Sequence, residues 1–250
     1  MSTIDFPAGG YAFVPGVFQY SAGVRALPGY RIERVRFANP IPVADGFARI
    51  AAYLRDQSVP LTGFCACELR SPAPFTEAGF RAFNESYATV LGEWGILATG
   101  QNPVARSNVC PEIDPPAMPS FYAFSFARPV PGAAPSFVNA GSGEVLEGKA
   151  NYRDHIIAPG DLSPAGLRAK VNYVMGEMAR RMAAMGFSWA DTTGAQAYAV
   201  CDFHAAMAEQ IVRPGGARHG LDWHFARPPI VGLDFEMDCR GVPMETVLPG

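Results

Sequence analysis

Residues 128–135 read RPVPGAAP, and the same succession of apolar patterns lies on either side of that break. In the first half, residues 30–37 (YRIERVRF) alternate in character with a period of two, the pattern of a strand with one buried face. A helix is expected next, because Asp45 stands where a cap would and Phe47, Ile50, Ala51 and Leu54 make one apolar stripe over residues 46–55. Residues 61–69 (LTGFCACEL) read as a buried strand. Residues 75–94 return to helical spacing through Phe80, Phe83, Tyr87, Val90 and Leu91, and residues 119–127 form another strand. The second half repeats the order, with strands at 136–140, 192–200 and 229–238 and helices at 163–185 and 203–212. Such a succession, met twice in about 125 residues each, implies duplication of an α+β unit with helices on one face of a sheet. An N-terminal domain is expected over residues 1–128 and a C-terminal one over 135–250.

Composition narrows the class of partner. The 250 residues are 49% hydrophobic, and a chain of this length hides roughly 70–75% of its unfolded surface, so neither disulfides nor a structural metal are needed to hold it. A net charge of −3 with no Lys/Arg-rich run lacks the footprint of phosphate-backbone binding, which argues against nucleic acid. No run approaches the ~20 apolar residues that span a bilayer, and the first residues lack a basic segment followed by an apolar one. A cytoplasmic protein without membrane partners is the expectation. Five irregularly spaced cysteines fit reduced, packed thiols better than a disulfide framework.

Familiar chemistries find little support in the spacing. Cys65-Ala-Cys67 is too tight for a zinc knuckle, and His204, His219 and His224 form no H-E-x-x-H pattern. Neither phosphate-cradling motif occurs, Gly141-Ser142-Gly143 being only a fragment of such a loop. The stripe of Leu167, Val171, Val174, Met178, Met182 and Met185 has the spacing of a helix packed on a sheet. Cys110 follows Arg106 closely, and a neighbouring cation favours a thiolate, so a cysteine-dependent hydrolase stays open as a reading. Segment 102–110 (NPVARSNVC) sets Arg106 at the entry to a strand behind a proline loop, where its planar fork can match a carboxylate; the plainer alternative is a surface ion pair.

Three stretches combine into a resemblance. Phe18-Gln19-Tyr20-Ser21-Ala22-Gly23-Val24, then Phe80, Asn84 and Tyr87 of the second expected helix, then Asn102-Pro103-Val104-Ala105-Arg106 come in an order that resembles the reactive-intermediate deaminase (Rid/YjgF) family. Residues 138–143 (VNAGSG), 186–191 (GFSWAD) and 233–236 (LDFE) are similar to later parts of the same family, so the resemblance runs through nearly the whole chain as a diverged tandem. It implies an α+β fold of two chorismate-mutase-like domains, each a mixed β-sheet with two helices packed on one face, and a homo-oligomer, with a trimer favoured. The pattern also departs from that family. Ser120 and Phe121 stand where its water-handling glutamate would be, and Arg227 lies closer to Asp234 than its spacing allows. A composite site, or one active and one decayed copy, is therefore expected. Chain length and local sequence are further similar to the 2-amino-5-chloromuconate deaminases of aromatic-compound catabolism.

The resemblance implies roles for particular residues. Arg106 would hold the carboxylate beside an imine carbon, and Arg227 the second carboxylate of a dicarboxylate. Glu112, Asp234 or Glu236 would orient the attacking water and move its proton. Tyr20 would line the pocket, with Asn108 and Cys110 completing the substrate contacts. The expected activity is hydrolysis of an enamine or imine such as 2-aminomuconate or 2-amino-5-chloromuconate, releasing ammonia without metal or organic cofactor. The alternative from another class is a non-catalytic binder of small carboxylates, which fold alone does not separate from an enzyme.

Overall fold

The two halves are built in the same order. A computed structural model describes residues 2–16, 20–97, 100–146 and 152–249, so Phe18 and Gln19 of the opening motif lie outside the described residues, as does the Phe80 side chain. The first half runs β1 (Ile4–Phe6), β2 (Tyr11–Val14), β3 (Gly23–Ala26), β4 (Tyr30–Pro42), α1 (Val43–Asp56), β5 (Phe64–Arg70), α2 (Glu77–Glu93), β6 (Ala105–Pro111) and β7 (Ser120–Pro129). The second runs β8 (Phe137–Gly143), α3 (Pro164–Met185), β9 (Gly194–Tyr198), α4 (His204–Ala206, continued by a π-helical turn at Met207–Val212), β10 (Asp222–His224), β11 (Ala226–Arg227), β12 (Glu236–Gly241) and β13 (Glu245–Leu248).

Strand order makes the repetition explicit. One sheet reads β11-β6-β5-β7-β4-β13 and the other β1-β2-β3-β8-β12-β9-β10. Their central quartets, β6-β5-β7-β4 and β10-β9-β12-β8, correspond strand by strand. In each, one pair is parallel (β5 with β6, β9 with β10) and the others are antiparallel.

The expected pair of Rid-type domains, each a sheet with two helices of its own, is corrected by this topology. Strands β1, β2 and β3 leave the first half and extend the second half's sheet, with β3 bonded to β8. Strands β11 and β13 come from the second half and take both edges of the first half's sheet. A bare edge presents unpaired N–H and C=O groups, and exchanged strands satisfy them. Helical cover is also unequal. Two long helices lie on the first sheet, whereas the second carries α3 and only the short α4.

The two sheets stack face to face with helices outside, giving three layers of apolar packing. Phe47, Ile50 and Leu54 of α1 pack with Phe121, Phe124 and Phe126 of β7 on one outer face; Val171, Val174, Met178 and Met182 of α3 pack with Phe137 and Met237 on the other. Between the sheets Tyr11, Phe13, Val24 and Ile32 pack with the small Ala66, Ala105, Ala127 and Ala140. Strand β4 shows why its period-two pattern understates burial: Val35 and Phe37 join the helix-side core, while Ile32 and Arg34 are buried on the other side. Arg34 meets Glu68 there through two hydrogen bonds of 2.6 and 2.9 Å. Burial opposes ionisation of Glu68, but the Arg34 guanidinium overrides it and holds the carboxyl well below its usual range.

Element boundaries moved where local chemistry competes with pattern. Helix α1 begins at Val43, so Asp45 falls in its first turn, where a negative charge complements the helix dipole, rather than at the cap. Residues Leu61–Gly63 are a 3₁₀ turn ahead of β5, and the expected strand at 229–238 is loop until Glu236. Helix α3 matches its expected span, capped by Ser163, whose Oγ accepts the Gly166 N–H, and closed by left-handed Gly186.

Candidate active site

The Asn-Pro turn before β6 is fixed locally. Asn102 Oδ1 accepts the Val104 N–H at 3.0 Å, and Ser21 clasps the same turn, its N–H donating to Val104 O (2.9 Å) and its Oγ to Pro103 O (3.0 Å). This clasp seats Tyr20 beside the start of β6. Arg106, the second residue of that strand, is 3% exposed and directed toward α2. Its Nη2 donates to Asn84 Oδ1 at 2.6 Å. Its guanidinium carbon lies 4.9 Å from the Tyr87 ring centroid, 5.5 Å from Tyr20 and 5.6 Å from Phe83. An amide and three aromatic faces thus set the plane of the fork.

Asn108, two residues on, shares that face of β6. Its Oδ1 accepts from Ser71 Oγ at 2.9 Å, and its buried Nδ2 has no hydrogen-bond partner among the described residues. A donor so placed at a cleft wall is ready for an oxygen ligand. From the other sheet, Glu236 opens β12 and is nearly fully buried. A Cβ added at Gly141 would collide with Glu236 Oε1, and one added at Gly143 would sit 2.8 Å from Leu233 Cδ1. The two glycines of β8 thus leave room for the carboxylate and for the loop before it. The cleft is composite: Tyr20, Arg106 and Asn108 come from the first half, and Gly141, Gly143, Tyr152, Ile230, Leu233 and Glu236 from the second.

A family model described as 2-aminomuconate deaminase CnbZ matches residues 3–246. The chain belongs to the 2-aminomuconate deaminase family. A curated relative from Comamonas testosteroni, 2-amino-5-chloromuconate deaminase, is 48% identical over 247 residues, covering 98% of this chain and 98% of that protein. Among solved structures, a chorismatase superposes with a TM-score of 0.50 at 12% identity, over 88% of this chain and 77% of that one. A cyanuric acid hydrolase from A. caulinodans reaches a TM-score of 0.42 at 15% identity, over 86% and 67%. The Rid/YjgF assignment is corrected accordingly. The 2-aminomuconate deaminase family is what the sequence matches, the fold is similar to chorismatase, and the trimer implied by the earlier resemblance loses its basis.

For a member of this family, the structure sorts the expected residues into two groups. Tyr20, Arg106, Asn108 and Glu236 share the cleft. Glu112 and Arg227 instead meet each other on the partly exposed β6–β11 edge, with hydrogen bonds of 2.7 and 2.9 Å that hold the Glu112 carboxyl below its usual range. Asp234 turns away from the cleft toward Lys170, whose Nζ lies 3.0 Å from Oδ2. Cys110 is buried, and burial together with the Glu236 charge pushes its thiol up to about 12, so it is protonated at neutral pH. Tyr152, Ile230 and Leu233 carried no sequence signal as site residues. Gly141 and Gly143, read in the sequence as a fragment of a phosphate loop beyond a strand at 136–140, lie inside β8, where glycine is a sign of close approach. Among the described residues no group of three or more His, Cys, Asp or Glu is arranged to hold a metal ion, and no helix is long and apolar enough to cross a membrane.

Proposed function

We propose that the cleft hydrolyses the imine form of 2-aminomuconate or its 5-chloro derivative to the 2-oxo acid and ammonia. The observation that supports this reading is the convergence, from two sheets, of a positioned guanidinium (Arg106), an amide donor (Asn108) and a buried carboxylate (Glu236) on one cleft. Arg106 takes the carboxylate on C2 through two parallel hydrogen bonds, holding the electrophilic carbon in place. A proton from solvent adds to the enamine's β-carbon and gives the iminium. Water adds to C2 as the C=N electron pair moves to nitrogen, its O–H proton passing to Glu236; that proton then moves to nitrogen, and the C–N bond breaks as the hydroxyl proton passes to Glu236 and on to solvent, leaving C=O and free ammonia. One water is consumed for each ammonia released. Asn108 Nδ2 donates to the substrate's oxygens, its own carbonyl being held by Ser71.

Ammonia release from freshly generated 2-aminomuconate, its 5-chloro form and a simple 2-imino acid, with Arg106→Ala as control, tests this. Turnover of the muconates that is lost in the variant supports the reading; saturable binding without ammonia would instead make the protein a carboxylate binder.

A further inference from the structure

Lys170 of α3 is a fully buried cation outside the cleft, with no side-chain exposure. Its Nζ lies within reach of three oxygens: Asp234 Oδ2 at 3.0 Å, Ile157 O at 3.1 Å and Glu144 Oε1 at 3.2 Å. Glu144, equally buried, directs its carboxylate to the backbone, accepting the N–H of Asp234 at 2.6 Å and of Phe235 at 3.1 Å. These are the two amides that immediately precede Glu236. Leu233, one residue earlier, fills the space left by Gly143 and forms a wall of the cleft. The ammonium, two carboxylates and two amides thus fix the path of residues 233–236 between β8 and α3.

Stability alone gives weak grounds for such a cluster, because buried ion pairs replaced by apolar groups of similar volume are often neutral or better. What the cluster supplies is geometry. Among the described residues the loop at 229–233 has no strand partner beyond the bridge from Phe75 to Ile230, so the restraint on Asp234 and Phe235 joins the pairing of Glu236 with Gly143 and Tyr198 in setting how the chain enters β12.

We propose that Lys170, acting through Glu144, is a positioning residue for the Glu236 carboxylate. This rests on the reading of the cleft as a hydrolytic site. Arg106 and Asn108 stand on β6 in the other sheet and do not depend on the clamp, so loss of Lys170 should affect the chemical step more than substrate binding.

The experiment compares wild type with Lys170→Met and with the double variant Lys170→Met/Glu144→Gln, which removes both buried charges should the single change fail to fold. All are assayed at a temperature where circular dichroism shows full folding. Amide hydrogen exchange should accelerate at least tenfold at Asp234 and Phe235 while the centre of α3 stays protected. On 2-aminomuconate, kcat should fall at least tenfold while KM changes less than threefold. Unchanged exchange at the two amides overturns the clamp, and faster exchange with unchanged kcat overturns its catalytic role. A wild type inert toward 2-aminomuconate overturns the hydrolytic reading and the catalytic half of this inference together, while the exchange result still decides the clamp.

Discussion

Arg106 Nη2 donates to Asn84 Oδ1 at 2.6 Å, so a guanidinium on β6 is aimed by an amide on α2, the helix covering the same sheet. A neutral acceptor fixes the plane of the fork without cancelling its charge. With Tyr87, Tyr20 and Phe83 around it, the group is held in one orientation before substrate arrives, which lowers the ordering cost of binding.

Arg106→Lys should therefore be damaging although it keeps the charge. An ammonium reaches one carboxylate oxygen at a time and gains nothing from Asn84 or the flat rings. Losing a charge-assisted hydrogen bond of about 1.5–3 kcal/mol predicts a fall of roughly 10–100-fold in kcat/KM. Asn84→Ala should give a smaller loss, mainly in KM, because the charge stays and only its aim is lost. Steady-state kinetics of both variants check this, and equal losses in the two would contradict it.

Gly141→Ala should act at a distance from its own chemistry. The added methyl collides with Glu236 Oε1 and stands 3.2 Å from the Ser107 Cα, so the carboxylate must be displaced to admit it. We expect kcat to drop at least tenfold, approaching the roughly 10²–10⁴-fold expected for Glu236→Gln if that group moves the proton. Thermal unfolding alongside kinetics separates this from general damage. A Gly141→Ala enzyme of full activity would mean that Glu236 does not need its present position.

How far an element can be read from the sequence follows the range of the forces that place it. Helix α3 and strands β4, β7 and β8 were legible because their apolar periods are local. The turn and strand entry that place Arg106 were legible because they lie within a few residues of it. The exchanged strands β1, β2, β3, β11 and β13 were not, since they are short and their place is decided by partners more than 70 residues away in several cases, such as Leu248 beside Phe37. The same limit explains Glu112 and Arg227. Each had the right chemistry and a plausible spacing, but the antiparallel pairing of Arg227 with Cys110 set them against each other. Nor did any pattern announce the polar cluster that lies beside the apolar one between the sheets, because Arg34, Glu68, Gln196 and Asp238 sit on alternate strand positions that ordinarily face water.

Glu112→Ala and Arg227→Ala should leave turnover within about twofold of wild type, since an exposed pair contributes little and neither side chain reaches the cleft. Cys110→Ala should behave similarly, as should alkylation of accessible thiols, because a buried thiol pushed up to about 12 supplies no thiolate at neutral pH. Ammonia release is again the measurement. A tenfold loss in Arg227→Ala would place it in substrate binding after all.

Acid should weaken the fold well above the range where carboxylates titrate, and His224 is the reason. Its Nε2 lies 3.1 Å from Gln196 Oε1 and its ring stacks on Tyr198 at 5.2 Å. Burial, helped by the Arg70 guanidinium, lowers its pKa from 6.5 to about 4. Above pH 6.5 neither the folded nor the unfolded state carries the proton, and the group has no effect. Between 6.5 and about 4 the unfolded chain binds a proton that the native state refuses, so stability is lost as pH falls, by at most on the order of 3 kcal/mol. Glu68, whose pKa is lowered in the fold, keeps its contribution until pH drops below 4.5, and so does not enter the upper part of this window. Asp238 works in the opposite sense, since burial and the Glu68 charge raise its pKa and protonation relieves the native state. The net expectation is a fall of several degrees in Tm between pH 7 and pH 5, absent or reversed in His224→Gln, which keeps a polar side chain beside Gln196 but cannot titrate. Parallel unfolding scans of the two proteins across that interval decide it, and identical slopes would show that His224 is protonated as readily in the folded protein as in the unfolded chain.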